Sequence, residues 1–99
     1  MKVDPFWALG NHTRMLIVSG LSEGPETVAQ ITKWAKVSRP AVSQGLKILL
    51  GAKLVTREKR GREVLYRTST EGLFYIQAMV NSLLQDVEKH EKKKPGKVR

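Results

Sequence analysis

The sequence predicts a mainly α-helical fold with a small β-hairpin: a winged helix-turn-helix of about five helices and a two-stranded wing. Three observations carry that prediction. Two short helical segments are separated only by Lys36-Val37, two β-rich runs hinged at a glycine follow them, and a long terminal segment repeats apolar residues at heptad spacing. A chain of 99 residues builds a single core. Its organisation reads as one domain over residues 1–94 and a basic tail over 95–99, because Pro95-Gly96 ends any helix reaching it.

The elements follow in order. Asp4-Pro5 places a capping carboxylate before a proline and opens a short helix carrying Phe6, Trp7 and Leu9. Asn11 caps a second helix, whose buried face is read as Leu16, Ile17 and Leu21, and Gly20 with Ser22-Glu23-Gly24-Pro25 ends it. Thr27 caps a third, with Val28, Ile31 and Trp34 or Ala35 on one side and Gln30 and Lys33 on the other.

The fourth helix, residues 38–50, is the most informative stretch. Ser38 accepts a bond from an otherwise orphaned backbone N–H, and Pro40 falls in the first turn, where a missing N–H is harmless. Val42, Leu46 and Leu49 recur at helical spacing toward a core, while Arg39, Ser43, Gln44 and Lys47 keep hydrogen-bonding groups elsewhere on the cylinder. Two short helices joined by so tight a turn form a helix-turn-helix, whose second member enters the DNA major groove.

Residues 54–59 and 62–67 are rich in β-branched and aromatic side chains, and Arg60-Gly61 supplies the turn between them. Lys59, Arg60 and Arg62 surround the tip. They suit phosphates or a narrow minor groove, and equally an edge hairpin kept soluble by charge. From Thr70 to about Lys93 a long helix spaces Leu73, Ile76, Val80, Leu83 and Val87 three and four apart. That seam fits pairing with a second copy, joined by Phe6 and Trp7 of the first helix, or packing on its own domain.

Charge narrows the partner. The formal net charge is +9, and no acidic residue lies between Glu26 and Glu58, an interval holding Lys33, Lys36, Arg39, Lys47, Lys53 and Arg57. A polyanion, double-stranded DNA above all, is the expected partner. The terminal cluster of Lys89, Lys92, Lys93, Lys94, Lys97 and Arg99 suits either a solvated end or a phosphate-contacting arm. With no cysteine, no apolar run near the roughly 20 residues of a membrane span and no signal-peptide pattern, a cytoplasmic protein without membrane partners is expected. Neither histidine sits in a catalytic motif, so no enzyme is expected.

Over roughly residues 5 to 88 the chain resembles the ArsR/SmtB-type winged helix-turn-helix transcriptional repressors. The resemblance rests on Leu9-Gly10-Asn11-His12-Thr13-Arg14-Met15-Leu16-Ile17, on Thr27-Val28-Ala29-Gln30-Ile31, on residues 37–49, on Ala52-Lys53-Leu54-Val55, and on Gly61-Arg62-Glu63-Val64-Leu65-Tyr66-Arg67. It implies a homodimer, paired through first and last helices, that binds an imperfect palindrome and blocks transcription. Ser43 and Gln44 then match base-reading positions, Gln with both amide atoms on an adenine. Arg39 and Lys47 serve guanine or phosphate; Ser38 and Arg57 join the DNA-contacting set; Arg14 has a structural or backbone-contacting role.

Two departures follow from the same resemblance. Gly45 replaces a common histidine, losing a polar contact, and Lys53 stands where relatives place a glycine, at a position that often needs a left-handed backbone. The family's metal sites need cysteines near Thr27 to Ile31, or two histidines on the terminal helix. This chain offers only Asp86, His90 and Glu91 there, so no metal and no cofactor is expected, and no effector is named. A sequence-tolerant architectural DNA-binding protein and a winged-helix protein-interaction module stand as alternatives.

Overall fold

In the computed structural model, residues 2–93 are described; Lys94 and the tail expected at 95–99 lie outside them. The chain runs α1 (Pro5–Leu9), α2 (His12–Gly20), a single 3-10 turn (Leu21–Glu23), α3 (Val28–Ala35), α4 (Arg39–Gly51), β1 (Val55–Arg60), β2 (Glu63–Thr68) and α5 (Thr70–Lys93). Side-chain caps fix the helix starts. The Asp4 carboxylate accepts the Phe6 N–H at 2.9 Å, Asn11 Oδ1 accepts that of Arg14 at 2.9 Å, and Ser38 Oγ accepts that of Ala41 at 3.2 Å. At α3 the capping is reciprocal: Thr27 Oγ1 accepts the Gln30 N–H while Gln30 Oε1 accepts the Thr27 N–H.

Ile17, Leu21, Ile31, Val42, Leu46, Leu49, Leu54 and Val55 fill the core where α2, α3, α4 and the start of the hairpin meet. Gly20 allows the close approach of α3, since a Cβ there would overlap the Trp34 ring. The second helix turns differently from the expectation on one point: Leu16 is 42% exposed and lies outside the core. The buried arc of α2 is set by Ile17 and Val18, continued by Leu21, and Leu16, about 100° before Ile17, falls outside it.

β1 and β2 pair antiparallel from Val55 opposite Thr68 to Arg60 opposite Glu63. Each strand therefore lies one residue later than expected, and the turn is Gly61-Arg62. Gly61 takes φ 59 at the first central position, where glycine relieves the strain of a hairpin turn. Glu26 flanks β2 on its other edge, donating its N–H to the Tyr66 carbonyl at 2.9 Å and accepting the Tyr66 N–H at 2.8 Å. Its carboxylate accepts Trp34 Nε1–H at 2.7 Å, which ties α3 to the wing.

The last helix leaves the hairpin at a tight junction. A Cβ on Gly72 would lie 2.7 Å from the Ala52 carbonyl oxygen, so glycine there lets α5 close on the turn after α4. Lys53 in that turn has φ 59, the left-handed backbone expected of it. Leu73 and Ile76 are half-buried against the chain's own core, and from Gln77 to Glu91 every residue is exposed.

Candidate nucleic-acid interface

The polar face of α4 stands clear of the core. Arg39, Ser43 and Lys47 are four residues apart and form one exposed row; Gln44 follows Pro40 on the neighbouring row. The rows border different hollows. Ser43 and Lys47 line an open groove of about 530 Å³ shared with Leu50, Gly51, Arg57 and Tyr66, on the wing side. Gln44 lines a second hollow of about 400 Å³ with Asn11, Thr13, Arg14, Pro40, Ala41 and Gly45, against the start of α2. The helix is thus a ridge between two grooves, with Ser38 exposed at its cap.

Gly45 is buried on the inner side of this ridge, and its nearest neighbours are Ile17 Cδ1 and Arg14 Cγ, at 3.5 and 3.6 Å from where a Cβ would sit. The position lies with Val42, Leu46 and Leu49 on the core-facing stripe and borders the hollow that Gln44 lines. Arg14 has a structural place. Its Nε donates to the Ala8 carbonyl, its Nη2 to that of Trp7 at 3.2 Å, and its guanidinium lies 4.7 Å from the Trp7 ring centroid. Those bonds satisfy carbonyls at the end of α1 and hold that helix to α2.

Strand alternation separates the wing cations. Arg57, opposite Tyr66, and Lys59, opposite Val64, share one face of the hairpin, and Arg60, opposite Glu63, shares the other with Glu58 and Arg67. Arg60 Nη2 lies 3.2 Å from Glu58 Oε1, an exposed pair that partly neutralises the outer face. Arg62 sits in the turn, fully outside the ladder. Of these cations only Arg57 reaches the groove beside α4. Sequence reasoning left Tyr66 out of the site; its strand parity with Arg57 was the available signal.

A second surface is apolar. Phe6, Trp7, Met15 and Leu16 are exposed on α1 and α2, as are Met79, Val80, Leu83, Leu84 and Val87 on α5. Phe6 meets Tyr75 edge-on at 6.3 Å between ring centroids, which joins α1 to α5. Trp7 is 60% exposed and Leu83 59%. Met79 and Leu84 widen the α5 stripe that the heptad reading picked out, and Met15 and Leu16 add exposed apolar surface on α2. On the same helix, His90 Nδ1 lies 2.9 Å from the Asp86 backbone carbonyl oxygen, and among the described residues no three His, Cys, Asp or Glu gather to hold a metal. No described helix is long and apolar enough to cross a membrane.

Comparison with known proteins agrees with this geometry. Residues 11–57, from the cap of α2 into β1, match the family described as "Bacterial regulatory protein, arsR family". The chain is 42% identical over 71 residues to the HTH-type transcriptional regulator Rv2034 of Mycobacterium tuberculosis, covering 71% of this chain and 66% of that one. It is 44% identical over 69 residues to the HTH-type transcriptional repressor SmtB of the same species, covering 70% of this chain. The match spans just under two thirds of Rv2034 and about half of SmtB. Among solved structures, a possible transcriptional regulator for arsenical resistance superposes with a TM-score of 0.77 at 30% identity, covering 96% of this chain and 99% of that one. Matched along nearly its whole length in fold and through its helix-turn-helix in sequence, the chain belongs to the ArsR family of bacterial regulatory proteins.

Proposed function

We propose that this protein is a sequence-specific, DNA-binding transcriptional regulator, a homodimeric repressor working in the cytoplasm as a binding protein and not as an enzyme. The observation that carries this reading is the exposed row Arg39, Ser43, Lys47 with Gln44 beside it, on a helix whose opposite stripe is wholly buried. A helix so fixed can enter a major groove about 12 Å wide without moving. Gln44 and Ser43 read base edges, Arg39 and Lys47 hold guanine or phosphate, Ser38 contacts backbone at the helix start, and the wing cations Arg57, Lys59, Arg60 and Arg62 engage phosphates or the minor groove.

The exposed apolar residues of α1 and α5 form the dimer face: Phe6, Trp7, Val80, Leu83 and Val87, with Leu73 and Ile76 at its inner edge. Residues 1–94 act as one DNA-binding and dimerisation unit, and the basic residues 95–99 as a tail. A twofold protein requires half-sites about one helical turn apart.

Selection of bound fragments from random duplexes, followed by affinity measurement at physiological salt, tests the whole reading. The expected result is a palindrome preferred over random duplex by at least about 10³-fold. A ratio near one would replace the repressor by a sequence-tolerant architectural protein, and no salt-dependent affinity for either duplex would leave a protein-interaction module.

A further inference from the structure

We infer that the groove between α4 and the wing seats one backbone phosphate of the DNA, and that the Tyr66 hydroxyl is one of the groups that hold it. The inference rests on the DNA-binding reading and adds to it a residue with no assigned role.

Tyr66 is 9% exposed, and its ring belongs to the core. Its backbone is fixed on both edges, by Arg57 across β1 and by the two Glu26 hydrogen bonds. Yet it lines the groove with Ser43, Lys47 and Arg57. Among the described residues no buried side-chain oxygen lacks a partner, and the Tyr66 hydroxyl forms no hydrogen bond with any of them, so it is open to solvent. A tyrosine with a free donor thus lines, with a lysine and an arginine, a hollow that no carboxylate lines. That donor set fits a phosphodiester, which offers one negative charge and two free oxygens and no proton to give. The groove adjoins the Arg39, Ser43, Lys47 row, where the edge of the major groove would place a backbone strand. Lys47 and Arg57, on separate elements, then serve the same phosphate, and Tyr66 sets its height relative to Ser43.

The test measures affinity for the selected duplex, whose phosphates are neutralised one at a time as methylphosphonates. Tyr66→Phe removes only the hydroxyl. It is expected to weaken binding about tenfold, with unchanged salt dependence and melting temperature. One phosphate per half-site is expected whose neutralisation costs the wild type affinity and costs both Lys47→Ala and Arg57→Ala far less. The Tyr66→Phe loss should shrink on that same duplex. Arg67→Ala, on the opposite face of the hairpin, should keep full sensitivity. Wild-type affinity in Tyr66→Phe, or desensitisation of Lys47→Ala and Arg57→Ala at different phosphates, would overturn the inference while leaving the DNA-binding reading intact. Absence of salt-dependent wild-type binding would remove both. Lys47 and Arg57 are exposed, so their variants fold and keep the test decisive even if position 66 tolerates no change.

Discussion

α4 and α5 are both amphipathic, and they end differently. The apolar stripe of α4 is closed: Val42, Leu46 and Leu49 are each at most 1% exposed, and the helix packs on α1, α2, α3 and β1. The stripe of α5 closes only at Leu73 and Ile76, and then continues through Val80, Leu83 and Val87 into solvent. The chain alone therefore fixes the position of α4, whereas the stripe of α5 extends past the chain's own core. This is the division a dimeric DNA binder needs, because a rigid reading surface transmits specificity only if a separate surface sets the spacing of its two copies.

The largest expected effect breaks the finished half. Leu49→Ala removes a fully buried side chain from the middle of the α4 stripe and should cost about 3 kcal/mol of stability. For a domain of this size that is a fall of roughly 12 to 24 °C in Tm, read by circular dichroism. A shift of a few degrees would mean that α4 is held mainly by its caps and not by its core.

The next effect is smaller and separates the two halves. Leu83→Glu puts a carboxylate in the exposed part of the α5 stripe, where it disturbs nothing buried within the chain. Dimerisation should weaken by about 2 kcal/mol or more, roughly thirtyfold in Kd, measured by sedimentation equilibrium. Because association is linked to folding, the wild-type Tm should rise with protein concentration, and that of the variant should rise far less. Unchanged self-association would move the dimer face off α5.

The same contrast explains what the sequence made legible. The start of α4 was readable because Ser38 and Pro40 mark it chemically; α5 begins at Thr70 as expected, with Ser69 Oγ accepting the Glu71 N–H at 3.3 Å, and is helical to the last described residue, Lys93. The wing register was missed by one residue, since Gly61 has an arginine on either side and a turn glycine can take either central position. Leu16 was misread because two adjacent apolar residues satisfy the helical period equally well, and only the packing of α2 chooses Ile17. Gly45 was read through the resemblance alone, as a missing histidine contact, and its spacing from Val42 and Leu49, which puts it on the buried stripe, went unused. Tyr66 escaped because an aromatic in a strand reads as core, and the ring is core; its strand parity with Arg57 was legible, but the groove they share forms only where α4 approaches the hairpin.

The smallest effect tests the junction between the two halves. Lys53 holds φ 59 between α4 and β1, and its carbonyl oxygen accepts the Gly72 N–H at 2.9 Å, so the orientation of α5 depends on this left-handed residue. A side chain in that conformation costs roughly 1 kcal/mol, which glycine avoids, though glycine also gains freedom in the unfolded chain. The Lys53 ammonium lies 3.4 Å from Glu71 Oε2, with both side chains about two thirds exposed, so losing the pair costs little. Lys53→Gly should therefore raise stability by about 0.5 kcal/mol, seen as a higher urea midpoint with an unchanged slope. A lower midpoint would show that the lysine stem and its ion pair outweigh the backbone strain, and that the hinge beneath α5 is braced by side chains.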